Sequence, residues 1–165
     1  MRFLGWLSDW WNYDPPSDLE TIDDPVFGEL YVNDTDDEHG YLWAKNNFQF
    51  LPNLKVDYLS VPGDENGASA HAREMYLQLK ERYSTLTKQI VSELFTLSDS
   101  RFNQKHNIAS AEEYCRMARL HEIIISEPGG EIDLELGYRL PQDPEHTYMV
   151  SWKDWRKIGD IHADG

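Results

Sequence analysis

A thiol beside a histidine base makes a nucleophile, and the chain has one cysteine, Cys115, with His121 and His146 following it. Cys115 stands between Tyr114 and Arg116 in a helical stretch without a glycine-rich surround, so it reads as a small core residue. The histidines at 39, 71, 106, 121, 146 and 162 show no pairing at zinc-ligand spacing. Glu131, Asp133 and Glu135 alternate along one stretch. Such a row could hold a divalent cation or supply an acid/base pair, but no H-x-H or E-x-x-H accompanies it, and a solvated strand face is the simpler reading. The turn from Asp34 to Gly40 concentrates acids in a calcium-loop fashion. Counted from Asp34, its sixth and twelfth places hold His39 and Lys45, where an EF-hand needs glycine and glutamate. Nucleophile-elbow, phosphate-loop and dinucleotide signatures are absent. The residues therefore suggest neither a cofactor nor a metal, and an enzyme is not expected. An enzymatic reading would have to rest on His121, His146 and the Glu131–Glu135 row.

Charge is the stronger signal. Thirty acids against fifteen Lys and Arg give a net −15. Residues 1–66 hold 14 acids and 3 bases, a net −11. Such a chain repels nucleic acid and attracts basic protein surfaces, accelerating the encounter. The densest group is Asp34, Asp36, Asp37 and Glu38. A second group of candidate contact residues is aromatic: Trp6, Trp10 and Trp11 at helix-like spacing are costly to leave in water. They would fold back on the domain, join a second copy, or meet a partner. A membrane role is not expected there, because Arg2 is the only base while Asp9 and Asp14 oppose anionic lipid. With one cysteine, no signal-peptide pattern and no apolar run of membrane length, a cytoplasmic location is expected.

The elements that must position these groups can be read from periodicity. Residues 1–23 form an aromatic segment and a proline-rich polar linker, which the proline pattern extends to Pro25. Residues 24–165 form a single α+β domain, mostly an antiparallel sheet of two β-meanders separated by a long and a short helix. Strands are expected at Val26–Val32, Tyr41–Phe50 and Leu54–Val61. The long amphipathic helix runs from about Ser69 to Leu97, with Ala72, Tyr76, Leu79, Leu86, Ile90 and Leu94 on one stripe. Ser110 and Glu113 form a capping box that starts the short helix, which ends near Arg119. Strands follow at His121–Ser126, across the Glu127–Gly130 turn to the stretch with Leu134, Leu136 and Tyr138, then at Tyr148–Trp152 and Lys157–His162.

Asp24-Pro25-Val26-Phe27-Gly28-Glu29-Leu30 resembles the opening of several small, uncharacterised acidic bacterial families. In them a D-P-x-F-G-x-L strand starts a meander containing a tryptophan, matched by Trp43. A long helix follows, then a C-terminal hairpin with an acid–histidine pair before an apolar strand, matched by Glu145-His146 ahead of Tyr148-Met149-Val150. The resemblance covers about residues 24–162. Some of these families are immunity proteins that neutralise a co-inherited toxin, often a nuclease. The resemblance, with the acidic charge, implies an immunity-like inhibitor of a basic toxin. A structural or assembly protein that uses its aromatic N-terminus is the alternative, and an enzyme with a site invisible in sequence is a third.

Overall fold

The computed structural model describes residues 20–36 and 40–164, excluding the side chain of Asp36. Trp6, Trp10, Trp11, Asp37 and Glu38 lie outside the described residues. The described elements follow the order β1 (Thr21–Asp24), β2 (Gly28–Asp36), β3 (Gly40–Leu51), β4 (Leu54–Asp64), β5 (Gly67–Ala68), α1 (Ala70–Thr96), α2 (Ser100–Lys105), α3 (Ala111–Met117), β6 (Arg119–Ile125), β7 (Leu134–Leu140), β8 (Asp143–Lys153) and β9 (Arg156–Asp164). The strands form one sheet in the order β1-β2-β3-β4-β6-β7-β8-β9, with β5 pairing β4. Every pairing is antiparallel except β4 with β6. The fold is α+β, as the runs of strands around helices imply.

That one parallel pairing needs a long connection in the chain path. A hairpin can only return antiparallel, whereas a helical crossover carries the chain back to start a strand in the same direction. The crossover here is α1, α2 and α3. The seam between the two meanders is short, with Tyr58, Leu59 and Ser60 facing Glu122, Ile123 and Ile124.

Period-two alternation then sorts the side chains. Leu59, Ile123, Leu136 and Val150 lie in register across β4, β6, β7 and β8, and all are fully buried. They share the core with the α1 stripe of Ala72, Tyr76, Leu79, Leu86, Ile90 and Leu94. Phe27 and Phe50 close against Tyr76 at ring-centroid distances of 4.7 and 5.7 Å. The opposite face carries Ser60, Ile124, Glu135 and Ser151 in one row, and Tyr58, Glu122, Gly137 and Met149 in the next.

α1 starts where its cap dictates: Ser69 has extended backbone and its hydroxyl accepts from the Ala72 amide at 3.0 Å. The capping box of α3 is present in full. The Ser110 hydroxyl accepts from the Glu113 amide at 3.2 Å, and the Glu113 carboxylate accepts from the Ser110 amide. Ser110→Ala is expected to lower stability by about 1 kcal/mol, measured by chemical denaturation, because one helix-end amide loses its acceptor.

Two expectations change, and one further helix appears. The linker read as extending through Asp24-Pro25 contains β1, an edge strand hydrogen-bonded to β2. Ser98–Asn107 holds α2, begun by Asp99, whose carboxylate accepts from the Arg101 and Phe102 amides. The third strand runs on through Asp64, so Pro62 and Gly63 belong to it, and β5 folds back on it. Gly63 is required there, because a Cβ would lie 2.1 Å from the Gly67 carbonyl oxygen.

The Asp24–Leu30 motif is a joint. Asp24 is 3 % exposed. Its Oδ1 accepts from the Val26 and Phe27 amides at 2.9 and 3.2 Å, which shapes the turn, and its Oδ2 accepts from Arg73 Nε and Nη2 at 3.0 and 2.8 Å. Burial pushes this carboxyl up. The Arg73 side chain, the two amides and the Arg73 charge overcome that push and hold it below the ordinary aspartate value. Gly28, at φ +71°, takes a left-handed conformation that suits glycine. The motif thus fastens the first hairpin to the first turns of α1.

Candidate functional site

On the sheet face away from α1, next to the parallel seam, β4, β6 and β7 bring charged groups together. Asp57 Oδ2 lies 2.8 Å from His121 Nδ1, and His121 Nε2 lies 3.0 Å from Arg139 Nη2. Arg119 Nη2 donates to Asp57 Oδ1. A guanidinium can only donate, so Nε2 of His121 is the acceptor and the proton sits on Nδ1, which donates to Asp57. Both ring nitrogens are committed. His121 is therefore neutral and positioned, with no lone pair left to take a proton from a substrate.

A register shift lies between Leu120 and Glu122 in the β6–β7 pairing. His121 is the extra residue of that bulge, and a bulge re-aims the side chain it carries. Burial pushes the His121 pKa down, and although Asp57 pulls it up, the Arg139 and Arg119 charges leave it below the ordinary value.

Glu122 comes next on β6 and lies over Gly137 of β7, where a Cβ would stand 2.5 Å from Glu122 Cγ. A side chain at position 137 would displace the carboxylate, so the glycine clears its berth. Burial raises the Glu122 pKa, Asp164 and Glu135 add to the rise, and Arg139 opposes it. The native state then binds this proton more tightly than the unfolded chain. Stability is lost as pH rises from about 4.5 through the native value. Glu122→Gln is expected to raise stability at pH 7 and to flatten its pH dependence above pH 4.5, as read by denaturant unfolding at both pH values. Tyr58 faces Glu122 across the seam, and burial raises its pKa, with the Glu122 charge adding to the rise.

The other candidates fall elsewhere. Asp34 is exposed on β2, with its Cα partner Leu42 on β3, and Asp36 ends that strand. Glu131, Asp133 and Glu135 do not form a row, because β7 begins only at Leu134. Asp133 takes Lys153 Nζ at 2.6 Å and the Asp154 amide at 2.8 Å, which anchors the β8–β9 turn. Glu135 accepts from the Ser151 hydroxyl at 3.1 Å. His146 is exposed, with Nδ1 2.7 Å from Asp143 Oδ1, while the Tyr148 hydroxyl donates to Asp143 Oδ2. Cys115 is half-buried on α3, and burial, aided by Glu112, pushes its thiol above the ordinary value. His121, the candidate base for that thiol, is held by Asp57 and Arg139. Among the described residues no group of three or more His, Cys, Asp or Glu could hold a metal ion, and no helix is long and apolar enough to cross a membrane.

Comparison of the chain with protein-family models, curated proteins and solved structures finds no match.

Proposed function

We propose that the chain is a binding protein whose sheet side docks a basic protein surface, an immunity-like inhibitor of a basic toxin being the specific form. The observation that carries this reading is the uneven division of charge between the layers. Residues 70–117, which span the three helices, hold seven Lys and Arg against six Asp and Glu. The helical layer is thus nearly neutral, and a net −16 resides in the remainder of the chain, the strands and turns and the N-terminal residues. A one-sided field orients an approaching cation-rich surface before contact and raises the encounter rate. The saturated Asp57–His121–Arg139 chain favours binding over catalysis, since a general base needs a free lone pair.

Chemical cross-linking in the cells that make the protein, followed by mass spectrometry, tests this reading. The expected partner carries net positive charge, and its cross-links fall on the described strands β1 to β4. A neutral or acidic partner, or cross-links confined to the outer face of α1, would overturn it.

A further inference from the structure

The middle of the sheet is buried on both faces, and α1 accounts for one of them. Along β2, β3, β4 and β8, core residues alternate with neighbours equally withdrawn from water: Leu30 with Tyr31, Trp43 with Ala44, Leu59 with Ser60, and Val150 with Met149. A strand open on one face alternates buried with wet instead. Tyr31, Ala44, Ser60 and Met149 are 7, 0, 7 and 3 % exposed. None of them belongs to the apolar cluster that α1 shares with the sheet. They lie on the face away from α1: register extends the row of Ser60 through Ala44 to Tyr31, and the next row holds Met149. Among the described residues no hydrogen bond, ion pair or ring contact ties α1, α2 or α3 to either row.

The chain outside the described residues comprises 1–19, 37–39 and Gly165, and only the first of these is long enough to span several strands. We propose that residues 1–19 form the second layer, lying across this face with Trp6, Trp10 and Trp11 packed on it.

The segment joins the sheet at a suitable edge. The Glu20 carbonyl accepts from the Val32 amide at 2.9 Å, and Thr21 pairs with Tyr31, so residue 19 stands beside one of the buried residues. Pro15 and Pro16 favour extended backbone at and before them. Residues 14–19 then reach about 20 Å. Neighbouring strands stand about 4.8 Å apart, so that reach carries the chain from β1 past β2 and β3 to β4 and β6. Three tryptophans, each able to bury about 150–250 Å², suit a face on which Tyr31, Ile124 and Met149 stand among polar groups. A layer there also explains the burial that raises the pKa values of Tyr58 and Glu122 in the second row. The cover is independent of the binding reading, because Asp34 is exposed and lies outside both rows.

Hydroxyl-radical footprinting of the full chain, read by mass spectrometry, tests the cover. Met149 should oxidise far more slowly than Met117, which is 42 % exposed. Replacing the three tryptophans together, Trp6→Ser, Trp10→Ser and Trp11→Ser, should speed oxidation of Met149 and Tyr31 several-fold and leave Met117 unchanged. A second measurement covers the case in which that variant does not fold. A photo-reactive benzophenone side chain is placed at Trp10, and isotope-labelled and unlabelled chains are mixed before illumination. Cross-links to Tyr31, Tyr58 or Met149 within one chain are the expected result. Unchanged oxidation of Met149 and Tyr31 in the triple variant, or cross-links to the outer face of α1, would overturn the proposal. Cross-links formed only between labelled and unlabelled chains would overturn it too, making a second copy the occupant of this face.

Discussion

Replacing Arg73 by leucine is expected to lower the unfolding free energy by about 3 kcal/mol, because it strands a buried carboxylate. For a chain of this size that corresponds to a fall in Tm of about 6–12 °C. Asp24 has a fully buried side chain, and among the described residues Arg73, 30 % exposed, is its only charged hydrogen-bond partner. The Val26 and Phe27 amides would remain on Oδ1, but Oδ2 would face the core alone. The partial exposure of Arg73 lets some water reach the gap, which places the loss near the low end for a broken buried pair.

The acid dependence should change with it. In the wild type the native Asp24 pKa is depressed, so the pair contributes fully above about pH 3.8 and is lost as pH falls through the native value. In the variant, burial is no longer opposed by a cation, so protonation relieves strain and the gap to wild type narrows in acid. Adding Asp24→Asn to Arg73→Leu should recover part of the loss, because the stranded charge is gone. A loss below about 1 kcal/mol, measured in urea, would mean that the joint is not held by this pair.

Much of the frame was legible in the sequence because its signals are local. The α1 stripe and both helix caps are set by residues within four positions of one another, and α1 runs from Ala70 to Thr96 as the periodicity required. The alternation of Leu134, Leu136 and Tyr138 likewise sorts β7 correctly. β1 was hidden because Thr21–Asp24 is polar and followed by proline; its strand character comes from pairing with β2, and Asp24 is buried only because Arg73 meets it 49 residues later. α2 was hidden because it has no buried residue to create a stripe.

The charge chain was not legible for a related reason. Asp57 and His121 are 64 residues apart, and their approach depends on the parallel seam, which hydrophobic pattern does not specify. A single signal pointed toward it. His121 and Glu122 stand between Leu120 and the apolar Ile123–Ile125 run of β6, and a polar residue at a bulge is aimed at something. Asp34, the Glu131–Glu135 stretch and His146 stand out by spacing along the chain alone. The structure distributes them among a turn anchor at Asp133, a surface pair at His146 and the exposed Asp34.

The central claim is that charge on the sheet side steers a basic partner, and the association rate tests it most directly. Raising ionic strength from about 10 mM to 150 mM shortens the screening length from roughly 30 Å to 8 Å. With the cross-linked partner purified, association should slow by about tenfold or more over that range, while dissociation changes little. Asp34→Asn, Asp36→Asn, Asp37→Asn and Glu38→Gln together should slow association at low salt and leave the unfolding midpoint nearly unchanged, Asp34 being exposed. Stopped-flow traces at the two salt concentrations, for wild type and the fourfold variant, give the answer. Slower association in the variant at low salt, converging with wild type at high salt, is the predicted result. Association that is insensitive to salt, or identical in both proteins at low salt, would contradict it.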